Sequence, residues 1–198
     1  AWKVRNGTNF GGDGDEGLFH NHGGHFLSPQ YYDSAEGIQQ FNPVHDGKRV
    51  ATWSEYSCLG CLRDPEFIKH SSEVVPDNVG ELRYRLLHSC VFGTDDNSGV
   101  CECPVCTAPI KTTDGRMLTP DQDYMAFYGA WFYDYLNRLD DMIQKSYPGF
   151  VTSTYAYFFA AKYPPIRVNK TIVPWLCTYV RKAQNLPIFA PVNQHWWK

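Results

Sequence analysis

The sequence predicts an α/β fold with at least partly parallel strands, and three stretches carry that prediction. Leu82–Phe92 is rich in Leu, Val and Tyr and reads as a strand, buried towards its C-terminal half. Between about 120 and 147, apolar residues recur at 124, 128, 131, 135, 139 and 142, with 125, 132, 136 and 143 beside them. That spacing is helical, and its aromatic stripe belongs in a core rather than on a binding surface. Phe150–Phe159 (FVTSTYAYFF) is β-branched and aromatic, which favours a second strand. Strand, loop, long helix, strand is the order of a βαβ layer protein.

The bulk numbers exclude several classes. The 198 residues are enough for one good core or two small ones. With 43% apolar and 20% charged residues, the composition is that of an ordinary globular protein. Net charge is −3 and no basic run exists, which argues against nucleic acid or an anionic membrane as partner. No apolar run reaches the roughly 20 residues that span a bilayer. The aromatic share, 16%, fits either stacking on sugar rings or a plain aromatic core. The chain begins at Ala1 with no signal peptide, so we expect a processed protein or a piece of a longer one. Two glycosylation sequons occur, at Asn6 and Asn169. With seven cysteines and the aromatics, they favour a secreted protein.

In chain order, residues 1–50 are loop-rich, with GGDGDEG at 11–17. His20, His22 and His25 follow, as zinc ligands, donors to sugar hydroxyls, or plain loop histidines. FNPVHDGKRV (41–50) reads as a turn with His45-Asp46-Gly47 at its tip, leading into a short extended run through Trp53. Cys58 and Cys61 form C-x-x-C, which suits a redox pair, half a zinc site or two disulfides; no thioredoxin-like βαβ context surrounds it. Asp64-Pro65-Glu66 starts a helix that runs to about Val75 and stops before Pro76: Asp caps, Pro occupies the first turn, Glu faces the positive end.

Leu86–Cys106 (LLHSCVFGTDDNSGVCECPVC) is the centre of the sequence. A strand delivers Asp95 and Asp96, and strand ends are where α/β proteins place chemistry. The plainer reading has both Asp capping the turn through backbone hydrogen bonds. Cys101, Cys103 and Cys106 follow within six residues. A zinc site there needs a fourth ligand, such as a histidine or Cys58. In a secreted protein, disulfides to Cys58, Cys61, Cys90 or Cys177 are favoured over zinc. Residues two apart on an extended chain point the same way, so Cys101 and Cys103 are expected to take different partners. The odd total leaves one cysteine free or paired outside the chain. KTTDGRM (111–117) turns at Asp114-Gly115, Thr119-Pro120 opens the long helix, and Pro148-Gly149 ends it. Thr171–Thr178 and Leu186–Ala190 are further strand candidates. His195, Trp196 and Trp197 close the chain, as a sugar platform or as cover for a core edge.

Several motifs line up in order: W-x-x-R-N at Trp2–Asn6, H-x-x-H at His22–His25 leading to Tyr31-Tyr32, and D-G-K-R at Asp46–Arg49. Then come Cys-Leu before D-P-E-F-I at Asp64–Ile68, C-x-C-x-x-C at Cys101–Cys106, Tyr147-Pro148, and Ala156-Tyr157 with Pro164-Pro165. In these motifs the chain resembles a family of secreted, mostly bacterial proteins catalogued only as a domain of unknown function. Such proteins are treated as glycoside-hydrolase-like (β/α)8 barrels. The resemblance implies a partial (β/α)-barrel-like arrangement with long N-terminal loops and a cysteine-rich loop. It implies one domain over residues 1–198, with a loop-rich entry segment at 1–57 and βα units at 58–198, as a fragment of a larger barrel.

Glycoside hydrolysis needs two carboxyl groups, roughly 5 Å apart for retention or about 6.5–9.5 Å for inversion. Asp95 and Asp96 are the candidates, although sequence neighbours usually face different sides. His22, His25, Tyr155, Tyr157, His195, Trp196 and Trp197 are the candidate sugar contacts, and Asn6 and Asn169 the candidate glycan carriers. The partner is then a polysaccharide, with no cofactor. The alternative is a non-catalytic extracellular glycoprotein, a subunit of a surface assembly, in which the aromatics and the odd cysteine serve self-assembly.

Overall fold

The protein is described by a computed structural model that covers residues 41–50, 60–69, 89–91, 99–156 and 158–176. Its frame is a parallel sheet of β3 (Ser89–Val91), β6 (Val151–Ala156) and β7 (Ile172–Leu176), hydrogen-bonded in that order. Two short antiparallel hairpins flank it: β1 (Val44–His45) with β2 (Lys48–Arg49), and β4 (Ile110–Lys111) with β5 (Met117–Leu118). Among the described residues the helical elements include a single turn α1 (Pro104–Thr107) and the long α2 (Tyr124–Ser146). The α/β class is as the sequence predicts. No closed barrel is formed among the described residues.

Both hairpin turns follow from their residues. Asp46 and Gly47 both have positive φ, 49° and 73°, the conformation that Asp-Gly adopts most readily in a two-residue turn. Gly115, at φ 86°, closes the second hairpin, where Asp114 accepts from Thr112 Oγ1 (2.5 Å) and Arg116 Nε (2.7 Å).

Helix α2 begins four residues later than Pro120 suggests. Thr119 instead opens a turn, its carbonyl accepting from Gln122 N at 3.2 Å, and Asp123 becomes the cap by accepting from Ala126 N at 3.0 Å. Burial explains its aromatic stripe: Phe127, Trp131, Phe132, Tyr135, Leu136 and Leu139 are all sealed from solvent. Gly129 lets a neighbour approach, because a Cβ there would stand 2.7 Å from the carbonyl oxygen of Phe159. That neighbour is the 3-10 turn Phe158–Ala161, and the Tyr133 hydroxyl donates to Ala160 O at 3.2 Å. The predicted strand 150–159 therefore stops at Ala156, where the chain folds back onto α2. Helix 64–75 is described only to residue 69, and its Asp64 cap is present, accepting from Glu66 N (2.9 Å) and Phe67 N (3.4 Å). The Leu186–Ala190 strand lies outside the described residues.

Helix and sheet are joined by one buried carboxylate. Asp140, 1% exposed, accepts from Thr152 Oγ1 (2.7 Å), Gln144 Nε2 (3.1 Å), Asn169 Nδ2 (3.1 Å) and Thr171 Oγ1 (2.5 Å). It sits at the amino-terminal ends of β6 and β7, the edge where a βα protein places stability rather than chemistry.

Candidate metal centre

Cys61, Cys101, Cys103 and Cys106 converge in one buried cluster whose sulfurs all lie within 4.8 Å of one another. Their exposures are 1%, 0%, 8% and 0%, so water has almost no access. Cys61 Sγ is 3.4 Å from both Cys103 Sγ and Cys106 Sγ.

Local chain chemistry builds each arm. Cys61 N donates to Phe41 O at 2.9 Å, which holds the 60–69 segment against the start of the first hairpin. The residue before it must be small: a Cβ on Gly60 would meet the Phe67 ring at 2.8 Å and Phe41 O at 3.0 Å. Cys103 is extended (φ −65°, ψ 155°) and caps α1, with Pro104 in the first turn where its missing N–H costs nothing. One helical turn then returns Cys106 to the same side, and Thr107 N bonds back to Cys103 O at 3.0 Å. Arg63 Nη1 donates to Ala108 O at 2.5 Å, tying the two arms together behind the sulfurs.

Backbone amides point at two of the sulfurs. Val44 N lies 3.2 Å from Cys101 Sγ, and Cys106 N lies 3.4 Å from Cys103 Sγ. The thiols also act on one another. Contact with Cys101, then with Cys103 and Cys106, pushes the Cys61 thiol far up. Contact with Cys101 likewise raises Cys106. Cys103 is drawn down, first by Cys101. At Cys101 the contact with Cys103 pushes upward, but Cys106 and Cys61 outweigh it and the net shift is down. Two sulfurs thus lean towards thiolate and two towards thiol, as expected for four acidic groups packed together without water.

Outside the cluster, Glu102 reaches the hairpin tip. Its carboxylate accepts from Asp46 N at 2.9 Å and lies 3.0 Å from His45 Nδ1, while its own N–H donates to Val44 O at 2.8 Å. Asp46 and Glu102 are exposed and His45 is half-buried, and the trio docks the hairpin on the cysteine loop.

The four described cysteine side chains are free thiols, so the disulfides favoured from the sequence are not made by them. Cys101 and Cys103 do point the same way, yet they enter one cluster instead of taking different partners. The fourth arm is Cys61, a member of the C-x-x-C that the sequence offers as half a zinc site, whereas the examples the sequence suggests for a fourth ligand are a histidine or Cys58. Cys90 is placed in β3, and Cys58 and Cys177 lie outside the described residues. So do Asp95, Asp96, His22, His25, Tyr157, His195, Trp196, Trp197 and Asn6. Tyr155 is half-buried in β6. Asn169 Nδ2, the atom a glycan would occupy, donates to Asp141 Oδ1 (2.8 Å), Asp140 Oδ2 (3.1 Å) and Asn137 O (3.3 Å). A glycan would replace one of the two hydrogens that these acceptors share. Among the described residues no helix is long and apolar enough to cross a membrane.

The model of one protein family, described as a domain of unknown function (DUF4838), matches residues 2–196. No curated protein and no solved structure compared with the chain matches it.

Proposed function

We propose that this chain, which belongs to the DUF4838 family, is a secreted carbohydrate-active module of glycoside-hydrolase type. One observation carries the reading: β3, β6 and β7 are parallel and paired in chain order. Strands added in sequence order on one side are what a (β/α) barrel requires, whereas a doubly wound sheet reverses direction. All three carboxyl ends then share one edge. Asp95 and Asp96 follow the end of β3 by four and five residues in sequence, and barrel enzymes draw their acids from the residues after strand carboxyl ends. Tyr155 and Ala156 end β6 beside Trp175 and Leu176 of β7, which brings aromatic residues to the same edge.

A groove of about 370 Å³ beside β6 and β7 supports glycan binding. Tyr133, Lys162 and Tyr163 line it, and Tyr163 is 85% exposed, a free ring face for a sugar.

The test is retardation of the chain on a panel of immobilised polysaccharides, with reducing-sugar release measured in parallel. We expect retardation by at least one glycan and a 10²–10⁴-fold loss of hydrolysis in Asp95→Asn or Asp96→Asn, the usual scale for a lost acid or base. No retardation by any glycan, with no hydrolysis, would overturn the reading.

A further inference from the structure

We propose that Cys61, Cys101, Cys103 and Cys106 hold one Zn²⁺ as a closed structural tetrathiolate that clamps the first hairpin and the 60–69 segment to the cysteine loop. Geometry comes first. Four sulfurs about 2.3 Å from a central zinc stand roughly 3.8 Å apart along the edges of a tetrahedron. Cys61 Sγ lies 3.4 Å from both Cys103 Sγ and Cys106 Sγ, and no two of the four sulfurs are more than 4.8 Å apart, distances that fall on either side of that edge. A disulfide would need one pair at about 2.05 Å. All four are free thiols, and Cys61 is equally close to Cys103 and Cys106.

The donor set selects the ion. Four sulfurs without carboxylate, imidazole or open position suit zinc in a structural site, not an exchangeable or catalytic one. Sulfurs this close enclose a single ion rather than an iron–sulfur cluster. The backbone supports the charge: Val44 N and Cys106 N aim at Cys101 Sγ and Cys103 Sγ, the outer hydrogen bonds that orient metal-bound thiolates. Measured from four thiols, four protons leave as Zn²⁺ enters, and the centre keeps a net charge of −2.

The ion would join strands of chain far apart in sequence. Cys61 and Cys103 are 42 residues apart, and Val44 is 57 residues from Cys101. Closing loops of that length is where a cross-link restrains the unfolded chain most. This inference does not depend on the carbohydrate reading, and its test does not involve glycans.

The test is metal content of the full chain, purified without chelator, by elemental analysis and native mass spectrometry. We expect one zinc per chain. Native alkylation should leave Cys61, Cys101, Cys103 and Cys106 unmodified until chelator and denaturant are added together. Replacement by Co²⁺ should give the intense sulfur-to-cobalt absorption of a tetrahedral thiolate site. Cys103→Ser should lose zinc, and Cys58→Ser should retain it. Any of three results would overturn the proposal: a folded chain without metal whose four thiols alkylate freely, a disulfide-linked peptide among the four, or stoichiometric iron. Loss of zinc in Cys58→Ser with retention in Cys61→Ser would overturn the ligand set.

Discussion

Asp140 and the four-cysteine cluster are equally sealed from water, yet they are completed by opposite means. The Asp140 carboxylate carries one charge and receives four hydrogen bonds, from Thr152, Gln144, Asn169 and Thr171. It is complete within the fold. The cysteine cluster brings four groups that each ionise, and two backbone amides point at it. Burial penalises charge at both places, but only the carboxylate has donors enough to offset that penalty. A buried polar group with a full shell is architecture; one with a deficit asks for a partner from solution. The contrast also tracks position. Asp140 lies at the amino-terminal ends of β6 and β7, whereas the cysteines hold the hairpin β1–β2 and the 60–69 segment.

The comparison breaks most visibly if the cluster is opened. Cys61→Ala should cost about 4 kcal/mol or more, the range reached when a structural metal is lost. The loss should appear as early proteolytic cleavage in the 41–69 region, and a chelator should reproduce it in the unmodified chain. Asp140→Ala comes next. It leaves the buried Thr152 hydroxyl and three half-buried donors without this acceptor, and about 3 kcal/mol is expected from lost hydrogen bonds to a charged group. Its zinc content should stay at one per chain, and chelator should lower its melting temperature further by the same interval as in the unmodified chain. If Asp140→Ala also releases zinc, the two centres are coupled and the comparison fails.

A smaller effect probes the helix that carries Asp140. Gly129→Ala places a methyl group 2.7 Å from Phe159 O and should cost about 2 kcal/mol through overpacking, read by denaturant midpoint. Weaker still is Glu102→Gln, between the cluster and the hairpin tip. Its contact with His45 is partly exposed, so the stability change should stay within about 1 kcal/mol, with zinc retained. Together these separate the ligands from the contacts that merely surround them.

How much of this was legible in the sequence depends on the range of the interactions. The turns at Asp46-Gly47 and Asp114-Gly115, the Asp64 cap and the aromatic face of α2 are set by neighbours a few residues apart, and the sequence displays them. The start of α2 was misplaced because Pro120 and Asp123 both look like openings, and only the Thr119–Gln122 turn decides between them. The end of β6 was missed because Phe158–Ala161 is strand-like in composition but is recruited by Gly129 and Tyr133 on another element. The cysteine loop was visible as a motif. Its fourth member was not, because Cys58 and Cys61 look alike in a C-x-x-C and only tertiary folding selects one. Asp140 gave no signal at all: an Asp near the end of a helix reads as solvent-facing until β6 and β7 supply its donors.

The smallest expected effect sits in the second hairpin, where a charge is exposed rather than buried. Thr112 first, and then Arg116, hold the Asp114 carboxyl down at about 2, below its ordinary value of 3.8. A folded-state value below the unfolded one means that the carboxylate form favours the fold. That contribution is fully present above about pH 4 and is lost as the pH falls through about 2. Asp114→Asn should therefore flatten the acid limb of the stability curve below pH 4, leaving the difference between variant and parent constant from pH 5 upward. The measurement is the denaturant midpoint at closely spaced pH values. An unchanged acid limb would mean that Thr112 and Arg116 hold the turn in the unfolded chain as well, so that the hairpin forms from local contacts alone. The Asp114 turn would then differ from both buried centres in needing neither the sheet nor a metal.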